Sequence, residues 1–202
     1  MLIEINKDFP EYPKLKQAVD ILKAGGVIVY PTDTIYGLGA DALNKKAIEK
    51  IYKIKKKPIS EGLSFIVPNL KEISKYAILS DAAFRIIKML TPGPYTFVLK
   101  ATKLIPKAIL PKRQTVAIRI PDNKICLELT EMLGNPIVST SANISGEPHF
   151  TNPVEIQNKM DHEIELLLDA GSLKNEPSTV LDLTQEQPVV IRQGKGDVSK
   201  II

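Results

Sequence analysis

Three segments of this chain concentrate groups that a hydrophobic core does not need. The first is Pro31-Thr32-Asp33-Thr34-Ile35-Tyr36-Gly37-Leu38-Gly39-Ala40-Asp41-Ala42, which follows the apolar run Val27–Tyr30 and packs hydroxyls, a carboxylate and two glycines together. It reads as a strand-to-helix turn, and in α/β sheets ligands gather at the carboxyl ends of strands. A turn that simply needs glycine has the same composition. Gly37-Leu38-Gly39-Ala40-Asp41-Ala42 also fits a loose dinucleotide fingerprint. That fit fails, because six residues separate the glycines from the strand and no acidic strand end follows about 20 residues on. The second segment, Lys53-Ile54-Lys55-Lys56-Lys57-Pro58, ends a helical pattern. Ammonium groups there suit a helix C-terminus and equally suit a triphosphate bound by point charges. The third, Pro136-Ile137-Val138-Ser139-Thr140-Ser141-Ala142-Asn143-Ile144-Ser145-Gly146-Glu147-Pro148, ends an apolar run in small polar residues. Such a loop cradles a carboxylate or phosphate, or is an ordinary Ser/Asn turn.

Two arginines interrupt apolar strand patterns, Arg119 in Val116–Ile120 and Arg192 in Val189–Arg192. Alternation sets Arg119 on the face opposite Ile118 and Ile120, where it either faces water at a sheet edge or meets a partner. Ser178-Thr179 adds hydroxyls at the start of another strand. The chain has no GxxxxGK[ST], so a nucleotide would not sit on a P-loop. It also lacks GxSxG and has only His149 and His162 as imidazole bases, which argues against a serine hydrolase. No Cys/His/Asp set has metal-ligand spacing, and any metal would be Mg2+ arriving with a bound nucleotide.

Apolar runs and helical patterns that alternate along the chain must position these groups. Strands are expected at Val27–Tyr30, Ser64–Val67, Tyr95–Lys100, Val116–Ile120, Ile137–Thr140, Glu165–Asp169, Thr179–Leu183 and Val189–Arg192. The helical pattern of Leu15, Ala18, Val19 and Leu22 stops at Gly25-Gly26. Asn44 caps a helix carrying Ile48, Ile51, Tyr52 and Ile54 on one face, and Pro58 stops it. Two more helices, Ala82–Leu90 and Ile125–Leu133, follow Ser80 and Asn123. The alternation means α/β, and the strands that follow one another near the C-terminus make the sheet mixed. At 202 residues the chain is read as one domain, residues 1–202. No apolar run approaches a membrane span, and a lone Cys126 fits a reducing, cytoplasmic setting. A net charge of +4 is compatible with anionic ligands such as nucleotides or RNA.

Taken together, PTDTIYGLGADA (31–42), KIKKKP (53–58), LTPGPYTFVLKAT (90–102), TVAIRIP (115–121), STSANISGEP (139–148), STVLDLT (178–184) and VVIRQG (189–194) resemble the YrdC/YciO family, in that family's order. The resemblance implies an open twisted mixed α/β sheet, flanked by helices, with a basic central groove. It implies synthesis of threonylcarbamoyl-adenylate from L-threonine, bicarbonate and ATP with release of pyrophosphate. The downstream partner would be a transferase complex that modifies tRNA, and double-stranded RNA or tRNA is a candidate ligand of the groove. Carried over by position, Thr32, Arg119, Ser139 and Ser178 look like threonine contacts. Lys55, Lys57, Thr115, Ser141, Asn143 and Arg192 look like nucleotide contacts.

Two features qualify the match. Lys55-Lys56-Lys57-Pro58 carries lysine where the family's K-x-R-P has arginine, which keeps the charge and loses the bidentate fork. PGPYTFVLKATKLIPKAIL (92–110) is similar to the YciO branch, whereas STSANISG is as active synthases have it. The competing readings are an RNA-binding protein without synthase activity and an adenylate-forming enzyme with another substrate. The few aromatic residues, 5% with no Trp, argue against recognition of single strands by base stacking.

Overall fold

Asparagine and serine caps start three of the four helices that the sequence pattern calls for. In the computed structural model, which describes residues 1–58, 61–105, 114–199 and 201, the Asn44 side chain accepts a hydrogen bond from Ala47 N at 3.1 Å and opens helix α2 (Lys45–Lys55). Asn123 opens α5 (Lys124–Leu133) in the same way, and Ser80 opens α4 (Asp81–Leu90). Helix α1 (Tyr12–Lys23) ends just before Gly25, whose φ is +87°. Two shorter helices, α3 (Leu70–Tyr76) and α6 (Pro153–Met160), lie where the sequence pattern is too brief to separate from loop.

The strands are β1 (Leu2–Glu4), β2 (Ile28–Tyr30), β3 (Gly37–Asp41), β4 (Ser64–Ile66), β5 (Ala77–Ile78), β6 (Tyr95–Ala101), β7 (Thr115–Arg119), β8 (Ile137–Ser141), β9 (Leu166–Asp169), β10 (Thr179–Asp182) and β11 (Val189–Arg192). They form one sheet in the order β1-β9-β2-β3-β8-β4-β7-β6-β10-β11, with β5 paired to β6. The ladder is mixed, as expected: β4/β7 and β6/β10 are parallel, while β2/β3, β3/β8 and β6/β7 are antiparallel. Alternation along β2 divides the core. Val27 and Val29 face a cluster with α2 and α6, whereas Ile28 and Tyr30 face a cluster with α1 and α5. Burying both faces explains why the central strands read as continuous apolar runs.

Two expectations change. Residues 37–41 form a central strand and not part of a strand-to-helix turn. Their glycines have ordinary φ values and are needed for space: a Cβ on Gly39 would stand 2.7 Å from Tyr30 Cε1 and 2.7 Å from Ile137 Cγ2. The question left open for Arg119 is also decided. Strand β7 runs between β4 and β6, so Arg119 is interior and only 7% exposed. The last residues of the string 92–110, from 106 onward, lie outside the described residues.

Candidate functional site

Strand ends meet above the middle of the sheet around a cavity of about 190 Å3. Thr32 comes from the β2–β3 connection, Arg119 from the end of β7, Ser139 and Ser141 from β8, Ser178 from just before β10 and Arg192 from the end of β11; all six line it. They are separated by up to 160 positions in sequence and brought together by the antiparallel pairing of β8 with β3 and β4 and of β11 with β10.

Arg119 is fixed from one side. Its Nη2 donates to a carboxylate oxygen of Asp33 and, at 2.8 Å, to Thr34 Oγ1. The other Asp33 oxygen accepts from Asp122 N at 3.1 Å, and the Asp33 carbonyl accepts from Lys195 Nζ at 2.6 Å. Both side chains of the pair are 8% exposed, so the ion pair is buried. The Nε of Arg119 is also buried and has no partner among the described residues. A guanidinium in a cavity wall that is held through Nη2 alone keeps donors for an acceptor such as a carboxylate. The Thr32 hydroxyl, by contrast, is spent within its loop: it donates to Ile35 O at 2.7 Å and accepts from Thr34 N at 3.1 Å.

Ser139 is oriented through the glycines of β3. Because Gly37 and Gly39 carry no side chains, the Tyr30 ring passes across β3, and its hydroxyl donates to Ser139 Oγ at 2.7 Å. Burial pushes the Tyr30 phenol far up, so it stays a neutral donor and leaves the Ser139 proton to be donated onward. On the opposite wall Arg192 donates from Nε and Nη2 to the Ser178 carbonyl at 3.2 and 2.8 Å, and Ser178 Oγ lies 2.8 Å from Thr96 Oγ1. Gly194 permits this wall, since a Cβ there would strike the Pro177 carbonyl. Burial, with the charge of Arg119 as a second cause, lowers the Arg192 pKa.

Lys55 stands behind the β8 loop and not among the groups that line the cavity. It is 3% exposed. Its Nζ donates to Ser141 O at 2.8 Å, to Asn143 Oδ1 at 2.7 Å and to the Asn143 carbonyl. Ser141 Oγ donates to Asn143 Oδ1 at 2.6 Å, and Asn143 Nδ2 reaches the Glu147 carbonyl at 2.6 Å. Burial, and then the charge of Lys57, lowers the Lys55 pKa to about 8. Lys57 is half-buried, donates to Gly62 O at 2.9 Å and holds its ammonium 5.9 Å from the Tyr52 ring centre. Thr115 begins β7, four residues from Arg119 or ~13 Å along the strand, and does not line the cavity.

Three members of this site escape a reading by motif: Tyr30, Asp33 and His149. The first reads as core and the second as one turn carboxylate among others. The third lines the cavity with a buried, unpartnered Nδ1. Only the fold shows that Tyr30 crosses a glycine strand or that Asp33 reaches β7.

Comparison with known proteins places the fold. The chain is 43% identical over 201 residues to an uncharacterized protein of Haemophilus influenzae, covering 98% of this chain and 97% of that one. It is 36% identical over 191 residues to a putative threonylcarbamoyl-AMP synthase of Methanocaldococcus jannaschii, covering 92% and 90%. The crystal structure of Escherichia coli YciO superposes with a TM-score of 0.95 at 40% identity, covering 100% of this chain and 99% of the other. That of Pyrococcus abyssi Sua5 complexed with L-threonine superposes with a TM-score of 0.94 at 32% identity, covering 100% and 59%. The model of the Sua5/YciO/YrdC family, described as telomere recombination, matches residues 20–194. The chain belongs to the Sua5/YciO/YrdC family.

Proposed function

We propose that this chain is a cytoplasmic synthase that condenses L-threonine, bicarbonate and ATP into threonylcarbamoyl-adenylate and pyrophosphate, for transfer to tRNA by a separate complex. The observation that carries this reading is the Arg119 corner, a guanidinium of the cavity wall locked by Asp33 and Thr34 through Nη2 alone. Such a donor suits the threonine carboxylate, and a related Sua5 is known in complex with L-threonine. Ser139 and Ser178 complete the amino-acid side, and Thr32 ties down the loop beside them. Arg192 and Ser141 face the nucleotide, with Lys55 and Asn143 holding the Ser141 loop in place. Thr115 and Lys57 reach only the far end of an extended triphosphate.

The chemistry asks for no covalent step from the protein. A carbamate oxygen attacks the α-phosphorus and pyrophosphate leaves, so rate comes from positioning three anionic species and stabilising charge at phosphorus. Mg2+ belongs to the substrate: the described residues lining the cavity offer hydroxyls, two guanidiniums and one imidazole and no carboxylate, so the phosphates would hold the ion. The test is pyrophosphate release from ATP that depends on threonine and bicarbonate, with no RNA present. Release without threonine dependence, or none at all, overturns the proposal.

A second reading, a related reaction on another carboxylate, is favoured by the high similarity to E. coli YciO and by lysine at position 57. Replacing threonine by serine in the same assay separates the two readings. Retention of double-stranded RNA by a protein that releases no pyrophosphate would instead favour an RNA-binding role.

A further inference from the structure

Resting on the proposed reaction, we infer that His149 is the base that accepts the proton released when the threonine amine becomes a carbamate. Conversion of R–NH3+ and HCO3− into R–NH–COO− forms one N–C bond and breaks one C–O bond of bicarbonate. The departing hydroxyl leaves as water with one amine proton. A second amine proton must go to an acceptor, and no later step consumes it, because the attack of the carbamate on the α-phosphorus is proton-neutral.

The cavity is poor in groups able to take that proton. Arg119 and Arg192 are cations throughout. Tyr36 is raised to about 12, chiefly by burial, and its hydroxyl is engaged with Gly171 O at 2.7 Å. The serine and threonine hydroxyls are far too weakly basic. Asp33 is engaged by Arg119 and the Asp122 N–H. Among the described lining residues only His149 carries a side chain that is neutral and basic near pH 7. Its Nδ1 is sealed without a partner among the described residues, which leaves Nε2 as the nitrogen that can meet a ligand.

The surroundings keep the ring in the accepting form. Burial lowers the His149 pKa, and the charges of Lys55 from α2 and Arg192 from β11 lower it further. The same cations would draw in bicarbonate and the carboxylate, so the base stands beside the place where the carbamate forms. His149 follows directly on the Ser141–Pro148 loop that Lys55 and Asn143 brace, which gives the ring a fixed mount.

The experiment compares wild type with His149→Gln and His149→Asn, which keep a hydrogen-bonding side chain and remove the basic nitrogen. Threonine-dependent pyrophosphate release is measured from about pH 5.5 to 9, beside a thermal melt of each protein. The expected result is a kcat lower by ~10²–10⁴-fold with little change in KM for ATP. The inflection that His149 sets in the wild-type profile should vanish, leaving in the variants only the climb with pH that follows the free amine. ATP formation from threonylcarbamoyl-adenylate and pyrophosphate, which needs no amine deprotonation, should suffer far less. A wild-type pH profile in both folded variants, or a loss confined to KM, overturns the inference while leaving the synthase proposal standing. If wild type itself releases no pyrophosphate with threonine, the synthase proposal fails and the role of His149 falls with it.

Discussion

Two buried cations brace this site by opposite means. Arg119 has a full counter-charge, with the Asp33 carboxylate on one edge and Thr34 beside it. Lys55 has no ion-pair partner among the described residues: its ammonium is held by two carbonyls, an amide oxygen and the Ser141 hydroxyl, all neutral. Burial, and then the charge of Lys57, lowers its pKa to about 8. The contrast separates two jobs. A paired guanidinium is a permanent, rigid donor suited to reading a carboxylate. An ammonium among dipoles carries unbalanced charge, and any anion placed over the Ser141 loop would stabilise it.

The largest expected effect is at the paired corner. Read from the sequence, Arg119→Ala removes one ligand contact; in the fold it also strands the Asp33 carboxylate. Leaving one partner of a buried pair uncompensated costs about 3–5 kcal/mol, so denaturant unfolding should reveal a strongly destabilised protein. Asp33→Ala combined with Arg119→Ala should recover part of that loss. In variants that stay folded, loss of the charge-assisted contact should weaken threonine use by about 1.5–3 kcal/mol, read as its apparent affinity in pyrophosphate release. Wild-type stability and wild-type threonine affinity in Arg119→Ala would erase the distinction between the corners.

At the unpaired corner the expected effect depends on pH. Lys55 titrates at about 8 in the fold against an ordinary 10.5. Between those values the unfolded chain binds more protons, so stability due to this residue rises with pH across that window and is flat below it. The rise is about 3 kcal/mol, at 1.36 kcal/mol per unit. Raised tyrosine pKa values, such as that of Tyr36, work in the opposite direction at high pH, so the quantity to follow is wild type minus Lys55→Met. A difference curve without slope from pH 8 to 10 would show that Lys55 behaves as an ordinary surface lysine. Binding of ATP should raise the Lys55 pKa, so calorimetry in two buffers should record proton uptake at about pH 8.5.

How far the sequence discloses these corners differs between them. The strands, the caps at Asn44, Ser80 and Asn123 and the mixed sheet follow from periodicity and capping chemistry, which are local. Six of the ten motif residues meet at one cavity, because strand ends place them there. Strand β3 was illegible, since glycine usually signals a turn, and its reason for glycine is the Tyr30 ring of a neighbouring strand. The partner of Arg119 was illegible too, because Asp33 lies 86 positions away in sequence. Burial of β7 on both sides depends on strand order, which no local pattern reports.

The smallest effect, and the finest test of the comparison, is at Lys57. Its ammonium is half-buried and donates to Gly62 O at 2.9 Å, and Gly62 lines the cavity. Lys57 therefore reaches the site through the backbone wall, as Lys55 does through the Ser141 loop. Loss of that single hydrogen bond in Lys57→Ala should cost about 1 kcal/mol of stability and loosen the wall. Lys57→Arg keeps the charge and restores the fork, so ATP use should be preserved or improved. Lys56 is exposed and in the left-handed conformation that ends α2, so Lys56→Ala serves as the control. If Lys57 serves the phosphates, Lys57→Ala raises KM for ATP and leaves KM for threonine unchanged. A role confined to holding the Gly62 wall raises both, because Gly62 and Arg119 border the same cavity. Equal rates for Lys56→Ala and Lys57→Ala at every concentration would remove Lys57 from the site and leave Lys55 as the one lysine of the motif that shapes it.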